Sequence, residues 1–115
     1  MSSEYRHLEV KEMNGVTIVR LVPKRLESGN IAPIAEELKG LVNPTCKIVL
    51  DLYNIKQLFS ETLGALVSFN GKVKSSGGKL RLCNLQPDAY DVLTTTQLTR
   101  VFDIHDDLRE ALAGF

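Results

Sequence analysis

With 115 residues, 43% of them apolar and 24% charged, the chain fits one domain over 1–115 that can bury a core without disulfide or metal staples. Fourteen basic residues balance fourteen acidic ones, which argues against direct nucleic-acid binding. No apolar run approaches the ~18–20 residues that span a bilayer, and MSSEYRHLEV lacks a basic segment followed by an apolar one, so the expectation is a cytoplasmic protein with no membrane partner.

In chain order, LEVKEMNGVTIVRLV reads as two strands around Asn14-Gly15, a dipeptide whose residues both tolerate positive φ in a two-residue hairpin. Val16, Ile18 and Arg20 share one face of the second strand, and Thr17, Val19 and Leu21 the other. PKRLESGN is a polar connector. In NIAPIAEELKGLVN, residues Ile31, Ile34, Ala35, Leu38, Leu41 and Val42 follow helical spacing, with Asn30 or Ser28 as the cap and Asn43-Pro44 as the stop. KIVLDL is a nearly continuous apolar run, as suits a central strand buried on both faces.

SETLGALVSFNGKVKSSGG is the next helix. Leu63, Leu66, Val67 and Val73 form its apolar side, Ser68, Lys72 and Lys74 its wet side, and Gly77-Gly78 its stop. KLRLCNL is a strand, and DAYDVLTTTQL a helix opened by Pro87 and an acid. VFDI is a short last strand. DDLREALAGF is a closing helix, with Asp106 and Asp107 set against its N-terminal dipole. Alternation after the hairpin predicts an α/β fold: a mixed, mostly parallel sheet of about five strands with about four helices. In such sheets function tends to sit beyond the carboxyl ends of the strands, and residues 53–62 lie at one such end.

The residues offer no catalytic constellation: no Gly-x-Ser-x-Gly elbow, Walker lysine loop, His-Glu-x-x-His or Gly-x-Gly-x-x-Gly. SSGG at 75–78 follows a helix rather than preceding one, so it reads as a helix stop and not as a phosphate loop. Asp51 ends a strand without a histidine or second carboxylate near it in sequence. The threonines of LTTTQLT read as local side-chain to backbone bonds. Cys46 and Cys83 read as reduced, buried small hydrophobes, and without Cys-x-x-Cys or Cys–His spacing they call for no metal or cofactor.

Ser60 and Glu61 stand where a strand hands over to a helix. A serine there can cap the helix by accepting from the N–H of Thr62 or Leu63, and Glu61 then sits in the first turn, where negative charge is favoured. The same physics tolerates a phosphoserine, which would turn the surrounding surface strongly anionic and expel a partner packed on it. The residues alone leave both roles open.

The order Asp51-Leu52, FSETLG, Gly77-Gly78, LRLCN, LTRVF and REALAGF, preceded by two strands and RLESGNIAPIAEEL, resembles the STAS domain of bacterial anti-sigma factor antagonists over nearly the whole chain. The resemblance implies a STAS-like fold and a non-enzymatic regulatory module. Its partner would be an anti-sigma factor or related serine kinase or phosphatase, which binds the unmodified protein and releases the phosphorylated one. The family's loop pattern is Asp-Ser-Ser/Thr-Gly-Leu-Gly. Its Asp falls on Phe59, its first hydroxyl on Ser60, its second on Glu61 and its small glycine on Thr62, while Leu63 and Gly64 match.

By that resemblance Ser60 is the candidate phosphorylation site. Asn54, Phe59, Ser60, Glu61, Thr62 and Gly64 form the candidate partner-binding surface. Glu61 in the second hydroxyl slot gives an alternative, a module fixed in the phosphorylated-like state that serves as a scaffold or complex subunit. Nucleotide or small-ligand binding ranks last, because no phosphate-cradling loop is present.

Overall fold

The computed structural model describes residues 6–115; residues 1–5, half of the segment read above for an export signal, lie outside the described residues. Strands β1 (Leu8–Met13) and β2 (Val16–Leu21) form the expected hairpin. Asn14 and Gly15 turn it with φ of 55° and 81°, the positive values that a two-residue turn needs to match strand twist. β4 (Lys47–Asp51) and β6 (Lys79–Cys83) add in parallel, followed by β7 (Ile104–His105), in the order β1-β2-β4-β6-β7. Ile48, Val49, Leu50 and Asp51 are all buried, as a central strand requires.

Helices α1 (Ile31–Lys39), α2 (Leu63–Ser75) and α3 (Pro87–Thr95) cover one face of the sheet. Ile34 and Leu38 of α1, Leu66, Phe69 and Val73 of α2, and Ala89 and Leu93 of α3 pack there with Leu21, Ile48, Leu50 and Leu82. The short α4 (Leu108–Leu112) lies on the other face, where Ala111 meets Val16, Ile18, Val49 and Cys83. Asp107 caps it by accepting from the Glu110 N–H at 2.9 Å, and Glu110 reaches back to the Asp106 N–H at 3.2 Å.

The structure differs from the sequence reading in several places. The polar connector contains a two-residue strand, β3 (Arg25–Leu26), which pairs in parallel with β5 (Gln57–Leu58) in a separate ribbon. Period-two patterning cannot reveal so short a strand. The last strand is Ile104–His105, because Val101 and Phe102 lie in the turn that follows a 3₁₀ segment over Leu98–Arg100. Asn30 precedes α1 but makes no side-chain cap; its amide accepts from the Glu27 N–H and donates to the Arg25 carbonyl, which folds the connector instead. On α2, Phe69 and Asn70 are buried while Val67 is only half-buried. The glycine stop stands as read: Gly77 has φ of +99°, and Ser76 bonds back to the Val73 carbonyl at 2.9 Å. Thr94 and Thr96 likewise bond the carbonyls of Tyr90 and Val92, the local role expected of that tract.

Candidate functional site at the carboxyl ends of the strands

Asp51 anchors the site from below. It is 1% exposed, at the end of the central strand. One carboxylate oxygen accepts from Arg20 Nε at 3.1 Å and Nη2 at 2.9 Å; the other accepts from the Tyr53 N–H at 3.0 Å and Asn84 Nδ2 at 3.1 Å. Register places these groups. Arg20 is the β2 partner of Asp51, and Asn84 follows Cys83, its β6 partner. A buried carboxylate is tolerated only when paired and hydrogen-bonded, and both conditions hold. In return Asp51 raises the Arg20 pKa, first through this hydrogen bond and then through its charge. Engaged on both oxygens, Asp51 fixes where the chain leaves β4. Burial, with Asp51 beside it, pushes the Cys83 thiol up to about 12, so Cys83 stays an inert core thiol at neutral pH.

From Asp51 the chain climbs to the surface. Tyr53 is 55% exposed, its ring 5.8 Å from the Arg20 guanidinium carbon, and its carbonyl accepts from Gln86 Nε2 at 2.6 Å. Asn54 is half-buried, its amide turned toward the Leu21 carbonyl at 3.4 Å. Ile55 and Leu58 anchor the loop in the core. The β3–β5 ribbon then carries the chain outward, with the Phe59 N–H donating to the Leu26 carbonyl at 3.1 Å.

Ser60 begins a 3₁₀ turn over Ser60–Thr62 that runs into α2. The expected cap is not made. The 3₁₀ turn shifts the start of the α-helix to Leu63, whose N–H donates to the Ser60 backbone carbonyl, and neither helical segment has a side-chain cap bond. Ser60 is exposed, beside Phe59 at 39% exposure. Thr62 is fully buried and its hydroxyl donates to the Phe59 carbonyl at 2.7 Å. It braces the turn and offers no side-chain surface, which removes it from the contact surface proposed from sequence. Gly64 is exposed, and a Cβ there would meet nothing within 4 Å, so its surface is open.

Glu61 faces sideways. Its carboxylate accepts from the Ser28 N–H at 2.9 Å and ties the loop to the turn before α1. Phe59, Ser60, Glu61 and Gly64 thus come together on one exposed surface, with Asn54 set lower against β2.

This topology, with its loop opening α2, matches a known pattern. A family model described as the STAS domain matches residues 7–111. The chain belongs to the STAS domain family. The same STAS architecture appears in an anti-sigma-factor antagonist domain protein from Planctomyces limnophilus, 25% identical, with a TM-score of 0.80 over 91% of this chain and 94% of that one. A candidate anti-sigma factor antagonist from Thermotoga maritima is 26% identical, with a TM-score of 0.78 over 91% of each chain. The anti-sigma factor antagonist SpoIIAA in its unphosphorylated form shares the fold at 16% identity, with a TM-score of 0.65 over 90% of each chain.

Within the STAS domain, three contributors to the site escaped the sequence reading: Arg20, Asn84 and Ser28. Arg20 carried a signal, a lone basic residue on the Val16–Ile18 face of a strand destined to lie beside Asp51. Ser28 carried none, because its contribution is a backbone N–H aimed by tertiary packing.

Proposed function

We infer that this STAS domain is a non-enzymatic regulatory binding module of the anti-sigma factor antagonist type. It docks an anti-sigma factor or related serine kinase on the surface formed by Phe59, Ser60, Glu61 and Gly64, with Tyr53 and Asn54 at its margin. The observation that carries this reading is Ser60 itself. Its side chain is exposed at the entry to α2 and caps neither helical segment, while the work of bracing the turn falls to the buried Thr62. A hydroxyl so placed is open to a kinase without cost to the fold. A phosphate there adds about −1.5 to −2 charges at the centre of the contact surface. Partner docking would have to desolvate that charge, so the modified form lets go.

The fixed, non-switching alternative draws on Glu61, a permanent negative charge one residue from Ser60. Its bond to the Ser28 N–H favours a bracing role over mimicry, because the charge is already engaged within the fold.

The test is intact-mass analysis after incubation with a serine kinase of the anti-sigma type. Addition of one phosphate to the wild type, and none to Ser60→Ala, is the expected result. Unmodified wild-type protein under conditions in which the kinase phosphorylates its own antagonist would leave the scaffold reading in its place.

A further inference from the structure

β1 is an edge strand of six residues, and among the described residues nothing pairs with its outer side. The opposite edge, β7, has only two residues. An open strand of this length is a template for another strand unless its chemistry forbids it. We propose that the β1 edge is a self-complementary interface, through which two copies of this chain join antiparallel into one continuous sheet with Val10 on the two-fold axis.

The backbone restricts the register first. In an antiparallel pair, residues alternate between exchanging both hydrogen bonds with the partner strand and pointing both groups away. The Val22 N–H donates to the His7 carbonyl at 2.9 Å, and Met13 pairs with Val16 across the two-residue turn. Residues 7, 9, 11 and 13 therefore face β2, and Leu8, Val10 and Glu12 direct their N–H and C=O groups outward. A second β1 must match outward groups to outward groups. That forbids axes between residues. Of the axes on a residue, those on Leu8 and Met13 leave little of β1 overlapped and one on Glu12 sets a carboxylate against its own copy, which leaves Glu9, Val10 and Lys11.

Charge then chooses among the three. An axis on Glu9 sets Glu9 against its own copy, and an axis on Lys11 sets Lys11 against its own copy. An axis on Val10 pairs Glu9 with Lys11 of the second copy, twice. Both residues are exposed and share the face that bears Arg20, opposite the α1–α3 layer. Glu9 pairs with Arg20, and Arg20 with Asp51, so Lys11 of the second copy would extend an alternating row of charges across the junction. Leu8 would pair with Glu12, and Val10 with itself. A C2 interface requires such self-complementarity. No residue of the Ser60 loop belongs to this edge, so pairing would leave that loop free.

Sedimentation analysis up to millimolar protein tests the proposal, using the full chain, Lys11→Glu and Glu9→Lys. The wild type is expected to form dimers. Each variant sets like charges together twice and is expected to weaken the dimer about tenfold or more. An equal mixture of the two variants restores opposite charges at both contacts and is expected to dimerise again as a heterodimer. Lys11 pairs with Ile18 and makes no ion pair among the described residues, so Lys11→Glu breaks no salt bridge within its own chain and stays informative if Glu9→Lys, which faces Arg20, folds poorly. A wild type that stays monomeric, a dimer indifferent to Lys11→Glu, or two folded variants that stay monomeric on mixing would each overturn the proposal.

Discussion

Glu61 spends its charge on the Ser28 N–H, a residue 33 positions earlier in the chain. Removal of that acceptor by Glu61→Ala is expected to speed hydrogen exchange at the Ser28 amide while leaving the core amides of β4 unchanged; equal exchange in both proteins would mean that the bond has no hold on the loop. A phosphate on Ser60 would sit beside the Glu61 carboxylate and repel it, so the Ser60→Asp variant should reproduce part of the effect. Asp51 is the other residue whose meaning the fold decides. A strand-terminal acid without a histidine or second carboxylate near it in sequence, it commits both oxygens to Arg20, Tyr53 and Asn84. Arg20→Met leaves that carboxylate buried and half-satisfied. Because the Arg20 side chain is itself 43% exposed, water takes up part of the loss, and denaturant unfolding should show destabilisation of about 1–3 kcal/mol rather than the larger cost of breaking a fully buried pair.

His7 and Glu37 give a pH handle at the same scale. The His7 ring lies 2.7 Å from the Glu37 carboxylate, which also accepts from the His7 N–H at 3.1 Å. Burial alone pushes the Glu37 carboxyl up. The hydrogen bonds from His7, with its charge, outweigh that and hold it below the ordinary carboxylate value. A carboxyl lowered in the folded state contributes stability that is present above its unfolded value of about 4.3 and is lost as the pH falls through the folded value. Unfolding curves measured from neutral pH down to the acid range should therefore converge for wild type and His7→Ala at the acid end and diverge above it. Parallel curves would show that the pair has no linkage to folding.

Among the elements, those legible in the sequence were the ones whose residues carry a local reason. Asn14-Gly15 can make only a few turns, KIVLD has no polar face, and Gly77-Gly78 ends α2 because Gly77 takes a φ that side chains avoid. β3 and β5 were not legible: two residues have no period, and they pair only because the loop after β4 returns to the connector after β2. The site was half legible for the same reason. Ser60 was found by its place between strand and helix, but its capping role was not borne out, since Thr62 and the backbone carbonyl of Phe59 close the turn first. At the end of α2, a Cβ on Gly78 would stand 2.8 Å from the Cys46 carbonyl and collide with its sulfur. Gly78→Ala must therefore push β4 and β6 apart at their start. It is expected to lower the thermal midpoint by several degrees, at a cost of about 1–3 kcal/mol. An unchanged midpoint would show that the two strands yield there freely.

For the whole molecule, the sheet acts as a platform. Its buried central strands hold Asp51 rigid, Asp51 holds the exit from β4, and the β3–β5 ribbon presents Phe59 and Ser60 at the surface. The proposed partner surface lies at one end of the strands and the proposed pairing edge at one side, so a dimer would display two docking loops. Affinity for an anti-sigma factor that binds the unmodified protein, measured by calorimetry for wild type and Ser60→Asp, tests the central claim most directly. A single aspartate carries less charge than a phosphate, so a fall of about tenfold or more is expected, matching a lost or repulsive contact of roughly 1.4 kcal/mol. Equal, measurable affinity of the two proteins would contradict the claim that Ser60 lies at the heart of the docking surface.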